Sequence, residues 1–243
     1  NRLFSAGVFR ALLVTGTAQP GLDAKLAAAV AAPVKAATNA RLADKIVTMA
    51  DLPKLGAPAT VVSRRPIGLA GMESITFSNG VKLTLFANDA ETEKVRINVR
   101  FGHGQQAFSP VKPVASWAGD YALVASGIGT LGQRELDDLT NGRRMGMDFS
   151  IDEDAFELQA VTRPADYKDQ LRLFATKLGA PGWDPAPIAR VKAGATVAYD
   201  AMTRSPDAVL GRDLGWLLHD KDVRFRTPSL AEINALTPQA FRA

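Results

Sequence analysis

Cysteine is absent from the 243 residues of this sequence, and histidine occurs only twice, at His103 and His219. The absence of cysteine excludes disulfide bonds, thiol catalysis and thiolate metal ligands. A catalytic zinc ion needs three protein ligands, usually histidine together with aspartate or glutamate. No predicted helix has a spaced pair of histidines, and the two that exist lie far apart in the sequence. We therefore expect neither a metal-ligand set nor a catalytic residue in this chain.

The sequence also lacks a long hydrophobic run. A membrane-spanning helix needs about 20 consecutive apolar residues, and the alanine-rich segment 22–37 is interrupted by lysines, an aspartate and a proline. The first residues, NRLF, do not resemble a secretory signal, and the sequence does not begin with methionine. We expect no membrane span, and we expect the chain to be a processed product or an expressed segment.

Charge of one sign is not concentrated anywhere in the chain. The formal net charge is +4 and the isoelectric point is about 9.4, but acidic residues are interleaved with the lysines and arginines. The pairs Arg64-Arg65 and Arg143-Arg144 lie where solvated turns are expected. Nucleic-acid binding normally needs a basic stripe with aromatic side chains for stacking, so we expect no nucleic-acid partner.

Proline and glycine divide the chain into segments. An apolar run at residues 11–16 predicts a short buried strand, and the residues after Pro20-Gly21 predict an alanine-rich helix to about Ala32. These elements are too few to bury a core, so residues 1–50 are interpreted as the end of a preceding domain. Prolines and glycines recur through residues 51–71 and predict a linker. Residues 72–243 then form the main domain.

Alternating apolar residues predict two β-hairpins in the main domain. The first turns at Asn79-Gly80, the strongest short hairpin signal, and a third strand alternates over residues 95–101. The second hairpin pairs residues 145–151 with residues 156–160. Helices are predicted at residues 113–125 and 133–140 and, after the second hairpin, from Pro164, Pro185, Pro206, Ser229 and Pro238. Hairpins mixed with helices predict an α+β domain in which an antiparallel β-sheet is covered by helices.

The order and spacing of these segments resemble the M16 (pitrilysin or insulinase-like) zinc-metallopeptidase family, whose repeats have the LuxS/MPP-like fold. The resemblance is greatest to the bacterial zinc-protease branch and covers about residues 71–241. The segment ITFSNGVKL, at residues 75–83, is similar to the family's first strand, and the strand ending at Phe101-Gly102 is similar to the one before the metal-binding helix. Further similar segments lie at residues 129–132, 136–142, 162–167, 181–184 and 205–206.

In catalytic members of this family the helix after that strand has the motif H-x-x-E-H, in which two histidines bind zinc and the glutamate activates water. The corresponding segment here is SWAGDYA, at residues 116–122. The resemblance places Trp117 and Tyr121 at the histidine positions and Asp120 at the glutamate position. Neither aromatic residue binds zinc as histidine does, so the resemblance implies a repeat without the zinc centre. It also implies that residues 1–50 end a preceding M16-like repeat.

Four other features have simpler interpretations than a chemical site. His103, between two glycines, is predicted to be a loop residue, and His219 is predicted to cap a helix C-terminus, where a cation is favoured. The acidic residues 152–154 are too few for calcium and predict a solvated turn. The glycine-rich segment 127–132 lacks the lysine of a P-loop. Trp117 and Tyr121, four residues apart, are predicted either to pack in the core or to line the wall of a peptide chamber.

The resemblance implies a non-catalytic segment of an M16-type zinc metallopeptidase, which closes the substrate chamber while a zinc-bearing half elsewhere hydrolyses the peptide. That half, in the same polypeptide or a separate subunit, would hold the zinc ion, and the substrate would be a peptide. One alternative is a stand-alone peptide-binding or assembly module that has lost the metal site. Another is an independent hydrolase that uses carboxylates such as Asp120. Bacterial relatives are typically exported, so the resemblance also implies a periplasmic location.

Overall fold

The computed structural model describes residues 11–32, 46–68, 71–111 and 114–242. The chain divides into two compact units, Asn1–Lys45 and Ile46–Ala243. The described part of the second unit contains two antiparallel three-stranded sheets together with helices. This arrangement confirms the predicted α+β class, with the difference that the strands divide between two sheets.

The described residues of the first unit contain one helix, α1 (Leu22–Ala31), as the alanine-rich segment predicts. The prediction of a strand at residues 11–16 is wrong, because these residues are exposed and pair with no strand in the described part of the chain. An apolar run becomes a strand only where a neighbouring strand takes up its backbone hydrogen bonds, and the sequence does not reveal such a partner. The assignment of residues 1–50 to a preceding repeat stays a prediction.

The first sheet consists of β1 (Val61–Ile67), β2 (Met72–Phe77) and β3 (Lys82–Leu85), in that spatial order. The turn at Asn79-Gly80 joins β2 to β3 and confirms the predicted hairpin. Gly80 has a φ of +85°, which glycine adopts without steric strain. Across the turn, the Phe77 N–H donates to the Val81 carbonyl at 2.9 Å.

Strand β1 lies inside the segment 51–71, so a strand replaces the predicted linker over residues 61–67. Pro66 lies in this strand, which is at the edge of its sheet, where a missing N–H costs no ladder hydrogen bond. At the other end of the segment, Leu52 is 3% exposed and packs in a buried cluster with Val47 and Ile128. The proline- and glycine-rich segment 51–71 therefore contains an edge strand and a buried leucine as well as an irregular connection. The division into repeats stays a prediction.

The second sheet consists of β4 (Val95–Phe101), β5 (Asp148–Ile151) and β6 (Phe156–Thr162), with β6 in the centre. These strands confirm the predicted third strand and the second hairpin. Phe156 of the central strand contacts one phenylalanine on each neighbour, with ring centroids 5.6 Å from Phe101 and 6.2 Å from Phe149. Aromatic pairs across strands of this kind stabilise the sheet.

The described residues contain seven further helices and four short 3₁₀ helices. The bounds of the seven helices are α2 (Gly119–Ala125), α3 (Gln133–Thr140), α4 (Tyr167–Gly179), α5 (Ala186–Ala201), α6 (Pro206–Leu218), α7 (Leu230–Ala235) and α8 (Pro238–Arg242). A 3₁₀ turn, Ser116–Ala118, comes before α2, and the predicted start of that helix at Pro113 lies outside the described residues. Caps at Ser205 and Ser229 accept backbone N–H donors as the sequence predicts.

Helix α4 begins three residues later than Pro164, where the sequence predicts it. Residues 163–166 form a turn instead, in which the Tyr167 N–H donates to the Arg163 carbonyl at 3.1 Å. The Asp166 carboxylate fixes this turn by accepting hydrogen bonds from the Arg144 backbone N–H and the Arg143 side chain. The pKa of Asp166 is lowered, mainly by the Arg144 N–H.

Strand β5 is also shorter than the alternating methionines predict. It begins at Asp148, because the backbone groups of Gly146 form their hydrogen bonds with the side-chain amide of Gln170 on α4 and not with a neighbouring strand. That amide accepts a hydrogen bond from the Gly146 N–H at 3.0 Å and donates to the Gly146 carbonyl at 2.7 Å. Met145 and Met147 still pack against buried clusters, as predicted for core residues.

Lys177 on α4 is a buried cation that joins α4 to the end of α2. Its side chain is 2% exposed. Its ammonium group donates to the Leu123 carbonyl, to Ser126 Oγ at 3.1 Å and to the Gly127 carbonyl at 2.8 Å. These acceptors lie at the C-terminal end of α2, where the helix dipole favours a positive charge. Burial nevertheless lowers the pKa of Lys177 from 10.5 to about 8.

We predict that the free energy of unfolding rises between pH 8 and pH 10.5. Below pH 8 the lysine is protonated in both states, whereas between the two pKa values the unfolded chain binds a proton that the folded chain has released. The rise amounts to at most about 3 kcal/mol, at about 1.4 kcal/mol for each pKa unit. Urea unfolding of the wild type and of Lys177→Met across this pH range measures it.

The Lys177→Met variant is expected to lose the rise, whereas Lys168→Met, which removes an exposed lysine of the same helix, is expected to keep it. Equal pH dependence in the wild type and in Lys177→Met contradicts the assignment.

Candidate functional site

A cleft in the described residues has a volume of about 850 Å³. Its lining comes from two parts of the chain. The first part is formed by the turn after β4, the 3₁₀ turn with α2, and the end of β5. The second part runs from Val223, after α6, to Ala240 in α8. The lining residues are Gln105, Ser109, Val114, Ala115, Ser116, Trp117, Asp120, Ile151, Val223, Arg224, Phe225, Arg226, Thr227, Pro228, Glu232, Ala235, Leu236 and Ala240.

Two of the three residues that the sequence resemblance aligns with the zinc motif line this cleft. Trp117 lines it and also packs against the buried cluster of Ala118, Ala122, Ile188 and Leu236. Asp120 lines it from the first turn of α2. Tyr121 is 53% exposed and does not line the cleft. The structure thus brings Trp117 and Asp120 together and leaves Tyr121 elsewhere on the surface.

The carboxylate of Asp120 is held close to the end of β5. The Ile151 backbone N–H donates to it, and a Cβ added at the neighbouring Gly119 would lie 2.8 Å from Ile151 Cδ1. The pKa of Asp120 is raised, first because surrounding atoms remove part of its hydration and second because the Asp152 carboxylate repels its charge. Asp120 is an exposed residue, so screening by solvent reduces the size of this pKa shift. No cationic side chain among the described residues pairs with it.

Gln105 contributes an acceptor that is buried without a partner. Its side-chain oxygen, Oε1, has no hydrogen-bond donor among the described residues. The backbone around it is fixed, because the Gln105 N–H donates to the Asp152 carbonyl at 2.8 Å. A buried acceptor without a donor costs free energy, and such a group at the wall of a cleft favours a ligand that donates hydrogen bonds.

Two arginines line the other part of the cleft, and each is paired with a carboxylate. Arg224 donates to Asp222 through Nε at 3.0 Å and Nη2 at 2.6 Å. Arg226 donates to Glu232 at 2.6 Å. Glu232 also belongs to the capping box of α7, where it accepts from the Ser229 N–H at 2.7 Å. These donors, Arg226 first, lower the pKa of Glu232 to about 2.

His219 joins the end of α6 to the acidic turn between β5 and β6. As predicted, it caps the helix C-terminus, since its Nδ1 lies 2.6 Å from the Gly215 carbonyl. Its Nε2 lies 3.2 Å from the Glu153 carboxylate, and its ring stacks on Phe225 with centroids 3.6 Å apart. The pKa of His219 is raised, mainly by the Gly215 carbonyl and also by Glu153 and Asp222.

The other features weighed in the sequence have structural roles. His103 is an exposed residue at the start of a 3₁₀ turn. Glu153 and Asp154 are exposed at the turn between β5 and β6, and Asp154 pairs with Arg100 at 2.9 Å. The described part of the chain contains no group of three or more histidines, aspartates and glutamates that could hold a metal ion. Trp117 and Tyr121, which the sequence resemblance aligns with the motif histidines, have no imidazole, so their side chains do not fit a zinc ion.

Sequence reasoning missed Gln105, Arg224 and Arg226 as lining residues of the cleft. Their sequence neighbourhoods contain no motif, and their proximity to α2 depends on contacts between distant parts of the chain. The sequence around Glu232 indicates only the capping box of the helix that follows Ser229. A signal for this side of the cleft exists only in the charge pattern Asp222, Arg224, Arg226, which alternates acid and base.

No protein-family model matches the sequence, and no curated protein matches it. Solved structures do match. A variant of the ferredoxin protease FusC in complex with Arabidopsis ferredoxin has a TM-score of 0.62 and 16% identity, over 94% of this chain and 25% of that chain. The periplasmic protease PqqL from Escherichia coli has a TM-score of 0.63 and 17% identity, over 78% of this chain and 21% of that one. The first half of PqqL has a TM-score of 0.53 and 14% identity, over 74% of this chain and 40% of that one.

FusC and PqqL are M16 metallopeptidases. The chain has the M16 protease fold. This finding confirms the resemblance predicted from the sequence, and at such low identity it establishes the fold alone. The chain spans about a quarter of FusC and about a fifth of PqqL, so the activity of a whole protease is not carried over by the fold. Within the described residues, no helix has both the length and the apolar character needed to cross a membrane.

We predict that His219 titrates with a midpoint above 6.5. The Gly215 carbonyl and the Glu153 carboxylate favour the protonated ring, so the contact stabilises the fold below pH 6.5 and is lost as the pH rises through the raised pKa. NMR titration of the histidine ring protons measures the midpoint. Glu153→Gln is expected to lower it, whereas Asp154→Asn, which removes a neighbouring carboxylate paired with Arg100, leaves it nearly unchanged. A midpoint at or below 6.5 in the wild type contradicts the assignment.

Proposed function

We propose that this chain is a non-catalytic segment of an M16-type zinc metallopeptidase, which closes the substrate chamber while a zinc-bearing half hydrolyses the peptide. One observation carries the proposal. The chain has the M16 protease fold, and the sequence resemblance aligns the turn Ser116–Ala118 and helix α2 with the zinc helix of that family. In this alignment Trp117, Asp120 and Tyr121 would stand where the family has its histidines and glutamate, so the proposal keeps the helix without its zinc chemistry.

The cleft beside this helix supports a role in holding peptide. Its volume of about 850 Å³ falls within the usual range of ligand pockets. Trp117 provides a broad apolar surface, while Asp120, Gln105 and the paired arginines provide polar groups around it. Apolar surface with a few placed polar groups is typical of sites that bind part of a larger molecule. When a second half closes over such a surface, water is excluded from the peptide.

The proposal includes a partner, a substrate class and a location. The partner is a zinc-bearing M16 half, in the same polypeptide or in a separate subunit, and the zinc ion belongs to that half. The substrate is a peptide or protein, which is supported by the ferredoxin complex of the FusC neighbour. The location is the periplasm, which is supported by the periplasmic PqqL neighbour.

The proposal predicts that peptidase activity requires both halves. This chain is mixed with a zinc-bearing M16 half from the same organism, and hydrolysis of quenched fluorescent peptides is measured. We expect no hydrolysis by this chain alone after zinc loading, and at least a tenfold higher rate for the mixture than for the zinc-bearing half alone, a gain that assembly of a closed site can supply. If both halves belong to one polypeptide, the full polypeptide is compared with a version lacking this segment.

Chelator-sensitive hydrolysis by this chain alone overturns the proposal. A mixture that gains no activity while the chain still binds the peptides favours the alternative of a stand-alone peptide-binding module.

A second prediction concerns Trp117. Trp117→Ala is expected to reduce kcat/KM of the assembled enzyme about three- to tenfold, because an aromatic contact with substrate contributes about 0.5–1.5 kcal/mol. Trp183→Ala is the matched control, since Trp183 is 40% exposed and does not line the cleft. Thermal unfolding of each variant shows whether it remains folded, and Trp117→Phe keeps an aromatic ring where the alanine variant is unstable. Equal loss in both alanine variants contradicts the assignment of Trp117 to the chamber.

A further inference from the structure

We infer that the cleft has a subsite for a cationic group of the bound peptide, the ammonium of lysine or the guanidinium of arginine, between Trp117 and Asp120. The inference rests on the proposed function, in which this cleft holds peptide, and it names the chemistry that the cleft selects. Three independent features of the lining point to a cation: unpaired negative charge, an aromatic ring and an unsatisfied acceptor.

The charges of the lining leave one carboxylate without a cation. Arg224 is neutralised by Asp222 and Arg226 by Glu232, with contacts of 2.6 Å in both pairs. Asp120 has no cationic partner in the described part of the chain, and it lies close enough to Asp152 for the two charges to repel. A cation entering the cleft beside α2 would relieve this repulsion and pair with Asp120.

Trp117 gives the same part of the cleft an aromatic surface. It stands three residues before Asp120 in the chain, and both side chains line the cleft. The negative potential over the face of an indole attracts ammonium and guanidinium groups, and tryptophan does so more strongly than tyrosine or phenylalanine. An aromatic ring next to an unpaired carboxylate selects for positive charge, since the ring contributes little to binding an anion.

Gln105 adds an acceptor that lacks a donor. Its Oε1 is buried without a hydrogen-bond partner among the described residues, while its backbone is held by Asp152. Lysine and arginine side chains carry only donors. A ligand with N–H groups can satisfy this oxygen once the Gln105 side chain turns it towards the cleft, whereas a carboxylate or a phosphate has no donor to offer.

The two arginines do not make the cleft a site for anions. Asp222 accepts from both Nε and Nη2 of Arg224, and Glu232 is held by Arg226 together with the capping box. The pKa of Glu232 is about 2, so it remains ionised near neutral pH. Because a carboxylate already balances the charge of each arginine, an anionic ligand would find little net positive charge on this side of the cleft.

Three blocked pentapeptides test the inference. Each has four alanines around a central residue, which is lysine, norleucine or glutamate, so that the lysine and norleucine peptides differ chiefly in charge. Binding to the full chain is measured by NMR titration at 0.15 M salt. We expect the lysine peptide to bind about tenfold more tightly than the norleucine peptide, since a partly exposed ion pair and a cation–π contact together contribute about one factor of ten.

Two carboxylate variants locate the effect. Asp120→Asn is expected to remove most of the preference for lysine, whereas Asp148→Asn, which neutralises an exposed carboxylate on β5 outside the cleft, is expected to keep it. A preference that survives Asp120→Asn overturns the subsite, and so does tighter binding of the glutamate peptide, which would point to Arg224 and Arg226.

The outcomes separate the subsite from the proposed function. Equal binding of the lysine and norleucine peptides, weakened by Trp117→Ala, overturns the cationic subsite and leaves the peptide-binding cleft supported. Binding of none of the three peptides overturns the subsite and also the role of this cleft in holding peptide.

Discussion

The ammonium group of Lys177 fixes the position of the helix on which the cleft depends. It binds three acceptors at the end of α2 and at the start of the glycine-rich segment, and it does so from the last turn of α4. Helix α4 is in turn anchored on the second sheet through Phe174, which packs against Leu158 and Ala160. The place of α2 relative to the sheet is therefore set by a buried polar contact rather than by apolar packing alone. Such contacts are costly when incomplete and specific when satisfied.

The glycine-rich segment that follows α2 serves this contact. Gly127 has a φ of +86°, and a Cβ there would overlap the Leu131 carbonyl. The tight course of the backbone lets the Gly127 carbonyl reach Lys177 and leaves Ile128 fully buried. The pattern that loosely resembles a phosphate-binding loop thus has a packing role. It holds the end of α2, while the start of the same helix provides the wall of the cleft.

The proposed function keeps the helix of the zinc motif and changes its chemistry. The sequence resemblance aligns Asp120 with the glutamate of the motif and Trp117 with one of its histidines, and an indole does not bind zinc, so in this proposal Asp120 has no metal-bound water to activate. What remains is an aromatic surface and a negative charge at the side of a cleft, both suited to contact with a peptide. The third motif position, Tyr121, is exposed away from the cleft, so the wall depends on Trp117 and Asp120.

Local signals in the sequence were sufficient for elements whose stabilising contacts are local. The hairpin at Asn79-Gly80 and the cap at Ser205 use partners only a few residues away. Elements that depend on distant partners were missed or misplaced. Strand β1 needs β2 as its neighbour, and β5 is shortened because Gln170 reaches back to Gly146.

The cleft belongs to the same group of non-local features. Trp117 and Asp120 could be selected from the resemblance to the zinc motif. Arg224, Arg226 and Gln105 could not, because only the folded chain brings them to the same cleft.

The zinc content of the purified chain tests the central claim most directly. The chain is loaded with excess zinc and desalted, and the metal is measured by elemental analysis against protein concentration. A non-catalytic repeat predicts far less than one zinc ion per chain. One tightly held zinc ion per chain would contradict the account and would direct mutagenesis to His103, His219 and the carboxylates near them.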